Sequence, residues 1–416
     1  MVKIRLIKWL MPLLLMGIML TACNYPSGKK DKDDSSSSPS DSKSIAPLSP
    51  MGQAGKLTRK VWYYSGPGTD EVWFTADDVG LYYSYTYDAE GKLTREVQFW
   101  GAGTDGIWFT ADYRVVDYYS YTYDAQGKLT RKVSYYYGTD ENWFTADDNV
   151  SSYFSYTYDA EGKLTREVWY DDAGTDGTWY TADDVVMRSY STTDGARRKE
   201  IRAVWHSSGR GSSGSWSFPG ADALDYYSRT YDDYGKQIQK FSYYHTYRTD
   251  GICFTPDDVM DFYYSYTYDA QGRLTREVEY DWEGTDKKWF TDDDEVCTYY
   301  SYTYDAEGKL TRKVEYDWEG IDKKLFTVDD RVCGYESFTY NAQGRLTREV
   351  RYWYDGAGTD GIWFNADDVV GCYRSYTYDA HGRLTRKVLY EGGPGTDGVW
   401  FTADDVVSEY ESYTYN

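Results

Sequence analysis

Three histidines and five cysteines in 416 residues leave metal and nucleophilic chemistry little to work with. The chain has no Gly-x-Ser-x-Gly elbow, no glycine-rich phosphate loop and no His-Glu-x-x-His pair. Cations are scarce beside acids, 45 Lys and Arg against 68 Asp and Glu, giving a formal net charge of −23. Such an excess repels nucleic acid and anionic head groups, so neither is expected as a partner. Nowhere is there an apolar run long enough to span a bilayer as a helix. What the chain has in quantity is aromatic surface, 49 Tyr and 16 Trp. These residues favour pleated, half-buried positions, so the expected class is all-β. Carboxylates are plentiful, but they recur as identical pairs, whereas a glycosidase needs one asymmetric pair in a cleft. No catalytic residue is assigned and the chain is not expected to be an enzyme.

The first twenty residues carry Lys3, Arg5 and Lys8 and then the short apolar run Trp9–Leu20, the layout of a signal peptide. They lead into Leu20-Thr21-Ala22-Cys23, which resembles the lipobox of bacterial lipoproteins. That resemblance implies cleavage before Cys23 and its modification with fatty acyl chains, palmitate among them. Multiple chains hold a protein on a membrane where one binds only marginally. Asn24 follows the cysteine, and the resemblance then implies the outer membrane or cell surface. Removal of residues 1–22, with three cations and no acid, leaves a net charge of −26. Residues 23–53 are rich in Ser, Asp, Lys and Pro and read as a disordered tether, with the folded domain at 54–416.

Two blocks alternate through that domain. The first, Tyr-Asp-Ala-x-Gly-Lys/Arg-Leu-Thr-Arg, begins at Asp88, Asp124, Asp159, Asp269, Asp305, Asn341 and Asp379, and degenerate copies fall within about 188–247. Its glycines are 35–38 residues apart, with one double gap of 73. The second block reads Gly-Thr-Asp-x-x-Trp-Phe-Thr-Ala-Asp-Asp, as in Gly68–Asp78. Fixed-period repetition of this kind specifies an array of one supersecondary unit. Asp88-Ala89-Glu90-Gly91 suits a type I turn closed by a glycine in the left-handed region, which makes each unit a hairpin. Pairing outward from that turn predicts Tyr87–Leu93, Tyr85–Arg95 and Tyr83–Val97 on an apolar face, with Ser84–Glu96 and Tyr82–Gln98 on a polar one. Tyr82, Tyr118 and Trp100 are then expected to be exposed. Arg95 and its equivalents Arg131, Arg166, Arg276, Arg312, Arg348 and Arg386 are expected beneath the second block, stacked on aromatics or paired with its aspartates.

Tyr-Asp-Ala-Glu-Gly-Lys-Leu-Thr-Arg resembles the YD repeat of Rhs and teneurin proteins, which implies a curled or spiral antiparallel sheet. The Trp-Phe-Thr-Ala-Asp-Asp loop departs from that family. The array opens on a second strand (Lys56–Tyr64) and closes on a first strand (Tyr410–Tyr415), so its ends offer a closed, propeller-like ring as the alternative.

Two ligand classes follow from residue type. Asp176, Asp183 and Asp184, Asp360, Asp367 and Asp368, and Asp397, Asp404 and Asp405 have the Asp-Gly and seven-residue spacing of half a Ca²⁺ loop. The competing expectation makes them acidic turns. Tyrosine stripes suit a glycan if exposed and a core if not. Cys297, Cys333 and Cys372 recur one unit apart, about 9.6 Å if each unit adds two strands, so no 297–333 or 333–372 disulfide is expected. Cys253 and the three histidines add no zinc spacing. The function expected is a non-enzymatic surface lipoprotein displaying its array to a protein or glycan, with Ca²⁺ as a possible cofactor. A spacer without a ligand is the second reading, and a glycan-active hydrolase sited at 188–247 the third.

Overall fold

A computed structural model describes residues 55–416 except 102–113, 195–198, 206–224, 245–259, 354–355 and the single positions 76, 141, 233 and 292. The signal segment, Cys23 and the tether lie outside the described residues, as does most of the Gly/Ser-rich stretch of the degenerate units. The described residues hold twenty strands and no helix. They run from β1 (Leu57–Tyr63), β2 (Gly80–Tyr87) and β3 (Leu93–Trp100) through to β19 (Leu384–Tyr390) and β20 (Val407–Tyr415). Every strand is antiparallel to its sequence neighbours, so the repeat forms one curled sheet of hairpins, as expected.

The turns have the predicted chemistry. Gly91 sits at φ 88°, and equivalent glycines such as Gly127, Gly272 and Gly382 at 82–83°. This is the region only glycine enters cheaply. The Asp88 N–H donates to the Lys92 carbonyl at 3.0 Å, and the Lys92 N–H donates to Asp88 Oδ1 at 2.7 Å.

The register beyond the turn differs from expectation. Tyr87 pairs with Leu93, but Thr86 then pairs with Arg95, Ser84 with Val97 and Tyr82 with Phe99. Thr94 is the extra residue of a β-bulge, and its hydroxyl donates to the Thr86 carbonyl at 3.0 Å. The same bond joins Thr130 to Thr122, Thr275 to Thr267 and Thr385 to Thr377. A one-residue slip exchanges the faces. One face therefore holds Tyr82, Ser84, Arg95, Val97 and Phe99, and the other Tyr83, Tyr85, Tyr87, Glu96 and Gln98. Tyr82 and Tyr118, expected to be exposed, are buried at 6% relative accessibility, while Trp100 is exposed as expected.

The ends of the array meet. β1 pairs with β2 on one side and with β20 on the other, setting Ser412 against Val61 as internal hairpins set Ser84 against Val97. Asn416 takes the place of the turn aspartate. Its N–H donates to the Lys56 carbonyl at 3.2 Å, and its Oδ1 accepts from the Lys56 N–H at 2.7 Å. Thr58 supplies the bulge bond, to the Thr414 carbonyl. The seam is thus a tenth hairpin lacking only the tip of its turn.

The pairing also fixes the ring's size. Val97 lies opposite Ser84 within its hairpin but opposite Tyr118, two residues short of Ser120, across the next junction. The two-residue step recurs at Val133–Tyr153, Val278–Tyr299, Val314–Tyr335 and Val388–Tyr410. The junction from Lys199–Trp205 to Asp225–Tyr231 lacks the step, with Arg202 opposite Ser228, so nine junctions accumulate a stagger of about 18 residues over 20 strands, close to the ratio that in the eight-stranded α/β barrel gives a tilt of about 36°. Strands about 4.8 Å apart at that tilt close into a ring roughly 35–40 Å across.

Cys297 and Cys333 are free thiols, so neither a 297–333 nor a 333–372 bridge is present. The seam is tested by replacing the facing residues Val61 and Ser412 with cysteine. Oxidation is expected to give a cross-link that speeds migration on a non-reducing gel and raises the melting midpoint. Ends that do not meet would give neither.

Candidate functional site

Two repeated surfaces can carry function, one on each face of the sheet. The first is built by the Trp-Phe loop. Each described loop places an aromatic residue in the left-handed region: Phe74, Phe144, Tyr180, Phe290, Phe326, Phe364 and Phe401 have φ between 64° and 74°. That conformation is unfavourable for a bulky side chain and needs external support. The last aspartate of the loop provides it. Asp184 Oδ2 accepts from the Tyr180 N–H at 2.7 Å and from the hydroxyl of Tyr153, two strands earlier, at 2.6 Å. Asp78, Asp148, Asp368 and Asp405 make the same pair of bonds, to Phe74 and Tyr410, Phe144 and Tyr118, Phe364 and Tyr335, and Phe401 and Tyr373. The loop is thereby pinned to the sheet, with its rings packed on a stacked tyrosine pair. Tyr153 lies 4.4 Å from Tyr170, nearly parallel, and Trp179 and Tyr180 pack on it edge-on. At the seam Tyr63 and Tyr410 stack in the same way beneath Trp73 and Phe74.

The other loop aspartate closes the loop on itself. Asp183 Oδ2 accepts from the Thr175 N–H, the Thr175 hydroxyl and the Asp176 N–H, while Oδ1 accepts from Thr181. Asp404 and Asp367 accept the corresponding bonds from Thr396 and Asp397 and from Thr359 and Asp360. Asp176, Asp360 and Asp397 cap their own turns through the N–H groups of Thr178, Ile362 and Val399. Carboxylates that face amide donors present no cage to a hard cation. Among the described residues no three His, Cys, Asp or Glu side chains converge as metal ligands. The nine candidate Ca²⁺ aspartates are therefore assigned as loop braces.

The repeat arginines lie on this same face, at its solvent edge rather than buried. Arg95, Arg166, Arg276 and Arg386 are exposed, and Arg131, Arg312 and Arg348 half-buried. Their guanidinium groups stack on the loop aromatic: Arg95 is 4.5 Å from Phe144, Arg131 4.1 Å from Tyr180, Arg276 4.4 Å from Phe326, Arg312 4.4 Å from Phe364, Arg348 4.3 Å from Phe401 and Arg386 4.7 Å from Phe74. The loop in the corresponding place for Arg166, the one after Lys199–Trp205, lies outside the described residues. Stacking is thus the expected role that these arginines fill. The loop aspartates that were the alternative partners are committed to amides and tyrosines. A cleft of about 460 Å³ opens beside Arg95, lined also by Thr86, Thr94, Tyr118, Ser120 and Thr145.

The opposite face carries a belt that the sequence reading missed. The residue after each repeat arginine, or after Gln239 in its place, lies there, and it alternates: Lys60, Glu96, Lys132 and Glu167, then Lys240, Glu277, Lys313, Glu349 and Lys387. Tyrosines of the intervening strands link the charges. Tyr121, Tyr302 and Tyr376 donate to Glu96, Glu277 and Glu349 at 2.7–2.9 Å. Lys132 and Lys313 lie 4.1 and 4.4 Å from the rings of Tyr119 and Tyr300. Alternation brings Lys387 and Lys60 together across the seam. There Glu411 replaces the usual tyrosine and binds both, at 3.4 and 3.1 Å. Burial works against its ionisation, but the two lysines outweigh it and hold its pKa below the ordinary value.

Among the described residues no loop or strand covers the belt face, yet its groups are strongly desolvated. Burial pushes Asp117 up to about 6, Glu279 up to about 7 and Tyr119 up to about 12, and brings Lys240 down to about 8. Desolvation without a cover is what a concave wall produces, so this face lines the interior of the ring and the pinned loops clothe its exterior.

No protein-family model matches the sequence, and no curated protein is similar to it. Among solved structures the chain is similar to TcdB2-TccC3 without its hypervariable C-terminal region, at 15% identity and a TM-score of 0.35. That match covers 76% of this chain and 13% of the other, so the chain spans only a small part of that protein's length. A Photorhabdus luminescens Tc holotoxin pore matches at 12% identity and a TM-score of 0.22, over 76% of this chain and 19% of that one. A porin-like protein from Bacteroides uniformis matches at 10% identity and a TM-score of 0.27, over 87% and 99% of the two chains.

Asp184→Ala removes the brace of Tyr180 and leaves the buried Tyr153 hydroxyl without its acceptor. It is expected to cost about 2–3 kcal/mol in chemical denaturation, with Asp176→Ala near neutral. Acid should act through the other loop aspartates. Bonds from Thr145, from the Asp140 N–H and from Thr139 hold Asp147 down to about 2, and Asp77, Asp183, Asp293 and Asp404 are shifted the same way. A lowered folded-state pKa adds stability above the unfolded value that is lost as pH falls through the folded one. The melting midpoint is expected to drop between about pH 4 and 2, with the near-ultraviolet aromatic signal of the loops failing first.

Proposed function

We propose that this protein is a non-enzymatic lipoprotein that holds a β-ring on the bacterial cell surface or outer membrane for contact with a protein or glycan ligand. The observation that carries this reading is the use to which the reactive side chains are put. The loop carboxylates brace backbone amides, the arginines stack on rings, and the wall charges sit in a repeating alternating belt. Repeated, mutually satisfied groups make a display surface, whereas catalysis concentrates shifted groups in one asymmetric pocket.

Anchorage rests on the lipobox-like Leu20-Thr21-Ala22-Cys23 and the polar stretch that follows it. A tether of that composition and about thirty residues would set a lipid on Cys23 on the order of 30 Å from Gly55. Gly55 lies at the rim formed by the hairpin turns, beside Asn416. A tether entering there turns that rim towards the membrane and the opposite one away from it.

The ligand distinguishes display from a spacer role. The cleft beside Arg95 places a stacked guanidinium, hydroxyls and a tyrosine edge side by side, chemistry suited to sugars. The anchor is tested by Cys23→Ser in cells fed labelled palmitate. The wild type is expected to take up label and sediment with outer membranes, and the variant to lose both. Equal sedimentation of the two would remove the anchor from this reading.

A further inference from the structure

Among the described residues the wall belt sets two cations directly opposite one another at one place. β10 (Asp225–Tyr231) and β11 (Gln237–Tyr244) form the hairpin that follows the most degenerate stretch. In it Arg229 occupies the position held by Tyr85, Tyr121, Tyr266 and Tyr302 in other units, and the pairing sets it directly opposite Lys240. Like charges facing one another across two strands destabilise a sheet. Elsewhere on this face several cations have acids: Lys60 and Lys387 share Glu411, Arg188 pairs with Glu167 and Arg374 with Glu349, while Lys132 faces no second cation and packs on the rings of Tyr119 and Tyr121.

Arg229 and Lys240 have no such partner. Among the described residues neither makes an ion pair, and the Arg229 Nε–H is buried without an acceptor. The nearest acids on the wall, Glu277 and Glu279, lie beyond β12 (Met260–Tyr268) and are occupied by Tyr302 and Tyr264. The two cations converge nonetheless. The guanidinium is 4.9 Å and the ammonium 5.9 Å from the same ring, Tyr227, and the ammonium also lies 4.4 Å from Tyr264. Two cations brought together over tyrosine rings, one with an unused donor, are what an oxyanion completes. It accepts the fork of the guanidinium and the point charge of the ammonium at once and removes their repulsion. The protein's overall negative charge is a weak objection, because at physiological ionic strength exposed charges beyond about 8 Å are largely screened.

We propose that Arg229 and Lys240 form an oxyanion site on the inner wall of the ring, taking a phosphate, a sulfate or a sugar carboxylate whose ring packs on Tyr227 and Tyr264. The site gives the display reading one specific ligand chemistry, but it does not depend on the anchor at Cys23. The mature protein is titrated with inorganic phosphate, and separately with glucuronate, by calorimetry and by melting. Saturable binding with a raised midpoint is expected, weakened at least tenfold in Arg229→Gln and in Lys240→Met. Tighter binding of glucuronate marks the sugar-borne anion as the source, and tighter binding of phosphate the free ion. Arg229→Tyr restores the residue of the other units. It is expected to melt above the wild type without anion while losing the response to both probes. No binding by the wild type, or a response unchanged in Arg229→Tyr, overturns the site, and neither outcome bears on membrane attachment.

Discussion

The bond from the Thr94 hydroxyl to the Thr86 carbonyl, repeated in most hairpins, decides which side of their strands faces inward. Without the bulge it stabilises, Arg95 would share a face with Tyr85 and Tyr83, and Val97 would point into the ring. With it, Val97 and Tyr82 pack under the loops, and Glu96 joins Tyr83 and Tyr85 on the wall. The threonine therefore does in eight of the ten hairpins what a single register pin does in an ordinary one; Ile238 takes its place in one, and the hairpin of Val185–Asp194 and Lys199–Trp205 has no bulge. Because the bulge recurs in the same place, the face assignment stays coherent around the ring.

Given those faces, the two aspartates that end each loop have separate duties. One satisfies the amides of its own loop, and the other reaches out of it to a tyrosine two strands earlier. The second contact joins consecutive units outside the sheet's own hydrogen bonds. It also supports an aromatic residue in a backbone conformation it would otherwise leave. The acidity of the described loops is thus in large part structural.

Much of this was legible in the sequence. The period, the turn with its left-handed glycine, the all-β class and the complementary half-hairpins at the two ends all follow from local chemistry. The faces did not, for a physical reason. Tyr82, Tyr83, Tyr85 and Tyr87 place aromatics on both sides of the strand, so a one-residue slip leaves a pattern that looks equally apolar. The wall belt is hidden in the sequence because the Lys/Glu alternation, one residue past each repeat arginine, falls on a face of its own only once the bulge sets the register. The loop aspartates were read for their spacing, which fits a cation. Their direction, towards amides and a distant tyrosine hydroxyl, is set only once the loop folds over the sheet.

The seam has a bearing on how such a molecule varies in size. Its two halves, Lys56 to Tyr63 on one side and Tyr410 to Asn416 on the other, match one another as any two strands of a hairpin do. Nothing in that match depends on how many units separate them. Duplication or loss of a whole repeat would leave the clasp intact and alter only the gauge of the ring, by two strands at a time. Copy number then becomes a coarse adjustment of lumen width, and a fraction of a repeat is the change the architecture cannot absorb.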